Sequence, residues 1–502
     1  MQHMVLPAKQ SSNTIDPCSE EPGFGCTRQS CRSVVVCYKT RMAAPAQIQS
    51  INPATEEVLA AFEPSTREQI EQALGDAEIA YRSWRRTAFA ERGARMHAAA
   101  EYLRQHQARL AATITAEMGK PIVEAEAEIE KCAWCCEFYA DNAARFLADE
   151  PRASSATESY VQFTPLGTVL AIMPWNFPLW QLFRFAAPAL MAGNTAMLKH
   201  ASNVPQCALA IEEVFRASGF PDAVFRTLLI PGSAASRLIE DRRIVAVTLT
   251  GSDEAGRHVA ETAGRAIKKT VLELGGSDPF IVLADADLDA AVETGVRARF
   301  QNTGQSCIAA KRFIVEAPVF DEFQERYVEA VRRLRVGDPM ERTTQIGPLA
   351  RNDLRDTLEQ QVRASVRRGA RVLTGGARLA GRGYFFAPTV LTDVSPDMAA
   401  SCEEVFGPVA ALIRAGDADD AITLANRSQY GLGANLWTSD VARARQLARD
   451  IEAGQVFING MVTSDPRLPF GGVKQSGYGR ELAEFGIREF VNIQTVWIGP
   501  RR

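Results

Sequence analysis

The 502-residue sequence lacks a membrane-length apolar run, a basic excess and a cysteine framework. Its most hydrophobic stretch, VLAIMPWNFPLW, is broken by two prolines and is too short to span a bilayer. A formal net charge of -4 argues against a dedicated nucleic-acid binder, which would carry a basic stripe. Ten cysteines in a chain this long do not make a disulfide scaffold. Four of them (Cys18, Cys26, Cys31, Cys37) precede residue 41 with no paired CxxC spacing, so no metal site is expected there. No basic start followed by an apolar stretch marks a secretory signal, and a reducing cytoplasm is the expected setting.

Apolar residues make up 46% and charged residues 23%, ordinary values for a globular protein with a large core. Residues 1–41 differ: they are rich in Ser, Gln, Pro and Cys, have no helical or strand period, and read as a disordered extension. From Ser65 the pattern turns helical. Ser65 and Glu68 have capping-box spacing, and Ile70, Ala73, Leu74, Ala77, Tyr81 and Trp84 then form one apolar stripe. Further helix is expected over 91–147, with Cys132, Cys135 and Cys136 as core residues within it.

From residue 160 short apolar strands alternate with helical segments: GTVLAIM, NTAMLK, RTLLI, IVAVTLT and KKTVLEL. A second series follows with PFIVL, KRFIVE, VAALI, GANLWT and GQVFIN. This βαβ rhythm predicts two α/β domains with mostly parallel, buried sheets. The strand ends carry the chemistry. Successive strands run into Asn176, Lys199, Gly251-Ser252 and Glu273, and ligands of open parallel sheets bind beyond the carboxyl ends of the strands.

Gly251 and Ser252, with Gly256 in the next helical turn, can hold phosphate on backbone N–H groups, or simply turn the chain. Lys199 offers a point charge for ribose or phosphate, or is a solvated lysine. Glu273, after an apolar strand and before two glycines, suits a water-activating base with a raised pKa; a buried ion pair is the alternative. Cys307 sits in NTGQSCIAAKR, among small and polar neighbours, where a thiolate nucleophile or a plain loop cysteine could stand. Asn176 could donate its side-chain amide to a developing oxyanion, aided by the Cys307 backbone N–H. Together these residues form a set suited to acyl transfer beside a dinucleotide.

PWNFP, LELGGSDPFIV, NTGQSC, EEVFGPV and PFGGVKQSGYGREL, in this order between Ile51 and Gly499, resemble the signatures of the aldehyde dehydrogenase superfamily. Within it, LKHASNVPQCAL and GQSCIAAKRFIV resemble the NADP-dependent succinate-semialdehyde dehydrogenases. The resemblance implies a Rossmann-like cofactor domain over 42–272, to which 153–165 adds part of an oligomerisation arm. A catalytic α/β domain over 273–468 would follow, then a return to the cofactor domain and an oligomerisation strand over 469–502. It implies Cys307 as nucleophile, Asn176 as oxyanion donor and Glu273 as base. For the cofactor it implies Trp175, Asn176, Lys199, His200, Ala201, Ser202, Gly251, Ser252, Gly256, Leu274, Glu404 and Phe406.

Ser202 stands where NAD-preferring relatives often carry Glu, so NADP is the expected cofactor, with NAD used less efficiently. Arg184, eight residues past Asn176, matches an arginine that binds the succinate carboxylate in relatives; a salt bridge is its alternative role. A second arginine of some relatives is Gln301 here, so Ser464 and Arg467 are candidates to assist, with Trp180 walling the aldehyde tunnel. Ala309 replaces the second cysteine of redox-regulated relatives, which removes a local disulfide switch. The expected activity is succinate semialdehyde oxidation in a homodimer or homotetramer, with no nucleic-acid or membrane partner. Another aldehyde dehydrogenase activity, or a catalytically silent protein on the same fold, is the alternative.

Overall fold

The first helix, α1 (Arg67–Trp84), begins one residue later than the Ser65–Glu68 spacing predicts. Thr66 caps it: its Oγ1 accepts the Gln69 N–H at 3.2 Å, and the Gln69 side-chain oxygen accepts the Thr66 N–H at 2.8 Å. Two overlapping pairs have the same spacing, and the Ser65 N–H is engaged with the Leu229 carbonyl at 2.8 Å. This fixes Ser65 outside the helix. The computed structural model describes residues 47–500. The N-terminal extension expected from sequence, with its four cysteines, lies outside them.

Three more helices follow: α2 (Phe89–Gln105), α3 (Gln107–Met118) and α4 (Ile122–Phe146). Gly119, at φ +80°, ends α3, and Pro121 precedes α4. Cys132, Cys135 and Cys136 are fully buried in the apolar cluster that α4 shares with its neighbours, as packing residues. Burial pushes all three thiols up.

The first main sheet comprises β1 (Thr168–Met173), β2 (Thr195–His200), β3 (Phe225–Thr227), β4 (Ile244–Thr250) and β5 (Lys269–Glu273). Its order is β3-β2-β1-β4-β5, all parallel, with Gly477–Tyr478 added antiparallel beside β5. The order reverses between β1 and β4, which opens a crevice at their carboxyl ends.

The second sheet comprises β6 (Asp278–Val282), β7 (Ala310–Glu316), β8 (Arg371–Thr374), β9 (Thr389–Thr392), β10 (Val409–Ala415), β11 (Gly433–Trp437) and β12 (Gln455–Ile458). Its order is β8-β9-β10-β7-β6-β11-β12, parallel except for β8. The mixed α/β architecture with two parallel sheets is the one the strand series predicts.

Val491–Ile498 pairs antiparallel with Glu158–Pro165, and Glu150–Pro151 lies on the other side of that strand. This ribbon belongs to neither main sheet and leaves Ile493 and Trp497 exposed. No helix among the described residues is long and apolar enough to cross a membrane.

Candidate active site

Only Leu274–Ser277 separates the end of β5 in one sheet from the start of β6 in the other. The carboxyl edge of the first sheet therefore abuts the amino edge of the second. β7 lies beside β6, with Asp278 opposite Ala310, so the loop before β7 must pass over this link. That loop carries Cys307. Glycine makes the approach possible: a Cβ on Gly276 would lie 2.6 Å from the Cys307 carbonyl oxygen. A Cβ on Gly275 would lie 2.7 Å from a carboxylate oxygen of Glu404. The Gly276 N–H donates to Glu404 Oε1 at 2.9 Å.

The NTG of NTGQSC has a backbone reason. Asn302, Thr303 and Gly304 are all left-handed, at φ 54°, 56° and 72°. A Cβ on Gly304 would sit 2.4 Å from the Gly407 carbonyl oxygen. Asn302 stabilises the turn, its side-chain amide donating to the carbonyls of Asn176 (2.8 Å) and Gln305 (2.9 Å). Lys311 then gathers the loop, its Nζ donating to the carbonyls of Ser306 (2.9 Å), Cys307 (2.7 Å) and Ala309 (3.2 Å). Lys311 also lies 3.9 Å from Glu404. Burial pushes the Cys307 thiol up to about 12, while Arg184 and Lys311 pull it down.

Asn176, just past β1, is buried, and its Nδ2 donates to the Gln305 carbonyl at 3.1 Å, two residues from the nucleophile candidate. Glu273 is buried, and neither carboxylate oxygen has a protein partner. Burial raises it well above the ordinary carboxylate range, and Glu481 adds to the rise. Once ionised, such a carboxylate is a stronger base than an exposed one and is not held in an ion pair.

Cys307 opens into a cavity of about 820 Å³, within the range of small-molecule sites. Trp180, Arg184 and Ser464 line it with Cys307, as do Phe177 and Phe470. Arg184 is buried and ion-paired with Glu481, donates to Thr250 Oγ1 at 3.2 Å, and lies 4.5 Å from the centre of the Phe470 ring. Trp180 Nε1 donates to Ser464 Oγ at 3.0 Å. Arg467 is not part of this wall. It is exposed, bound to Asp465 two residues before it, and stacked over Trp134.

Sequence reasoning missed Lys131, which lines the cavity and donates to Ser464 Oγ at 2.7 Å. Its signal was available: Glu124, Glu128 and Lys131 recur at helical spacing and put three charged groups on one face of α4.

The other residues expected at the cofactor lie at or just past the carboxyl ends of β1, β2, β4 and β5, with Glu404 and Phe406 in the loop before β10. Lys199, at the end of β2, is buried. Ser252 caps the helix Asp253–Arg265, its Oγ accepting the Ala255 N–H at 3.2 Å. A Cβ is already too much at Gly251's neighbour Gly256, where it would meet Leu274 at 2.6 Å, so this helix packs close against the end of β5. The Trp175 and Phe406 rings meet edge-on at 5.7 Å. His200 is spent on the backbone: its Nε2 donates to the Pro178 carbonyl (2.9 Å) and its Nδ1 accepts the Ala201 N–H (2.8 Å). Ser202 is exposed at the start of the following loop.

Two parallel α/β sheets joined at a cysteine loop define a class. The chain belongs to the aldehyde dehydrogenase family, whose model matches residues 40–496. The NADP(+) succinate-semialdehyde dehydrogenase 1 of Mycobacterium ulcerans is 53% identical over 456 residues, covering 90% of this chain and 100% of its own. A protein of the same enzyme name from Mycobacterium avium is 53% identical, covering 91% of this chain and 97% of its own. The crystal structure of succinic semialdehyde dehydrogenase from Streptococcus pyogenes in complex with NADP+ superposes with a TM-score of 0.88. It is 38% identical and covers 90% of this chain and 100% of its own.

Proposed function

We propose that the protein oxidises succinate semialdehyde to succinate with NADP as acceptor, in the cytoplasm and as a homodimer or homotetramer. The catalytic part is supported by one placement: Asn176 Nδ2 donates to the Gln305 carbonyl two residues before Cys307, and Glu273 ends β5 three residues before Gly276, which packs against the Cys307 carbonyl. Lys199 has no ion-pair partner among the described residues, and Glu404 is cradled against Gly275 and Gly276. A buried free cation and a carboxylate set beside small backbone fit a phosphorylated ribose at one end and ribose hydroxyls at the other. Ser202 beside that cation leaves room for a 2′-phosphate, which a carboxylate would repel.

Cys307 gives its thiol proton to water in the cavity, and its thiolate attacks the aldehyde carbon and turns the carbonyl into an oxyanion. Asn176 Nδ2 and the Cys307 backbone N–H stabilise that charge. Lys199, Ser202 and Glu404 would hold NADP, which would supply the hydride acceptor. The Cys307 thiohemiacetal loses hydride and becomes a thioester. Glu273, in its ionised form, takes a proton from water, the hydroxide adds to the thioester carbon, and Cys307 leaves as thiolate with the carboxylic acid released.

The experiment is a panel of succinate semialdehyde, glutarate semialdehyde and butanal with NADP and NAD, followed by the absorbance of the reduced cofactor. Succinate semialdehyde with NADP should give the highest kcat/KM. Cys307→Ala should give no reduced cofactor, and Ser202→Glu should shift the ratio toward NAD. A preference for butanal, or equal use of NAD by the unaltered enzyme, would overturn the corresponding half of this reading.

A further inference from the structure

We propose that Lys131 supplies the uncompensated positive charge that holds the substrate's distal carboxylate, and so sets the preference for an acid-tailed aldehyde. The inference rests on the reading that succinate semialdehyde is the substrate, and it names the residue that would select it.

Charge matching leads to it. An anion binds where a cation is left over, and three carboxylates around Lys131 each have a cation of their own. Glu481 is ion-paired with Arg184. Asp465 is bound twice by Arg467. Glu128 is paired with Lys120, and its other oxygen accepts the backbone N–H groups of Leu179 (2.9 Å) and Trp180 (3.0 Å). Elsewhere on the cavity wall burial pushes Glu124 up to about 7, and Glu293 and Arg297 are exposed on the helix Leu288–Phe300. Lys131 takes part in no ion pair among the described residues. One of its N–H groups goes to Ser464 Oγ, and its Nζ lies 4.4 Å from the centre of the Trp180 ring, which holds a cation without neutralising it. The same hydroxyl accepts from Trp180 Nε1 at 3.0 Å. Lysine, serine and tryptophan are thus fixed as one unit on the cavity wall that Cys307 also lines.

A lysine here brings up to three donors on a compact head. The Arg184 guanidinium faces the same cavity, but its charge is already answered by Glu481, so it adds donors and little net attraction. A neutral aldehyde would gain nothing from Lys131 and would have to leave the ammonium partly desolvated without an anion. The site therefore discriminates by charge, against the neutral chain as well as for the charged one.

The test compares kcat/KM for succinate semialdehyde with that for butanal in the unaltered enzyme, Lys131→Met and Lys131→Arg. Butanal has the same carbon count and no carboxylate, so the ratio separates carboxylate binding from folding and chemistry. Lys131→Met should lower the ratio by about tenfold or more, through KM for the semialdehyde. Lys131→Arg should recover most of it, which a mere packing role would not require. A Lys131→Met ratio within about twofold of the original would overturn the role of Lys131 while the substrate reading stands. Lack of any preference for the semialdehyde in the unaltered enzyme would overturn the substrate reading itself. If Lys131→Met fails to fold, the Lys131→Arg and Lys131→Gln pair decides: equal ratios in both contradict the proposal, and a higher ratio in Lys131→Arg supports it.

Discussion

Burial brings the Lys131 ammonium down to about 8, and the neighbouring Arg184 adds repulsion. The groups facing it are Glu128, Cys132 and Cys135 on its own helix, Arg184 from the helix after Asn176, and Asp465 beside Ser464. Below about 8 the head is charged and can hold a carboxylate; as pH rises through that value the free enzyme loses the cation. The kcat/KM ratio of succinate semialdehyde to butanal should therefore fall above about pH 8 toward the ratio of Lys131→Met. Lys131→Arg, whose guanidinium keeps its proton, should hold the ratio flat to higher pH. A ratio independent of pH in the unaltered enzyme would contradict this. The turns that carry Asn176, Glu273 and Cys307 were legible as local motifs, because each follows or precedes an apolar strand. Lys131 was missed although its helical spacing with Glu124 and Glu128 was there to read, because the three cysteines next to it assigned the segment to the core. Nothing in a motif says that Asp465 will bind Arg467, as it does in the fold.

The elements that shape the site are turns more than helices or strands. The left-handed run Asn302-Thr303-Gly304 presents Cys307 at the junction of the sheets. Asn tolerates this region through its side-chain hydrogen bonds, Thr does not favour it, and Gly304 is forced by the Gly407 carbonyl. Gly304→Ala should cost about 3 kcal/mol or more, from the positive φ and the backbone clash together. Thermal denaturation would show a lowered Tm, and activity should fall further than stability does because the nucleophile loop must move. An unchanged Tm would mean the loop relaxes freely. Sequence reasoning placed the strands well, since their apolar runs are local signals. It placed the first helix cap one residue early because two overlapping Ser/Thr pairs share the spacing. The Arg184–Glu481 pair was invisible, since its members are brought together only by the closing turn before the last strand.

For the whole molecule, the ribbon of Glu158–Pro165 and Val491–Ile498 is the feature the two-sheet body does not explain. It exposes Ile493 and Trp497 on a paired strand, apolar surface that a second copy would cover. Sedimentation should give a dimer or tetramer, and Ile493→Asp with Trp497→Asp should shift it toward monomer; a monomeric unaltered protein would contradict the oligomer reading. The two-sheet body itself was legible as two strand series. The short link that makes them one catalytic unit was legible only as Gly275-Gly276, whose meaning depends on what lies above them.

The central claim is that this junction brings a sulfur, an amide and a base to one reacting carbon, and trapping the acyl-enzyme tests it most directly. Glu273→Gln, mixed with succinate semialdehyde and NADP, should give one burst of NADPH per active site and then stall, with a succinyl thioester found on Cys307 by mass spectrometry. Undiminished steady turnover by this variant, or an acyl group on any other residue, would contradict the account.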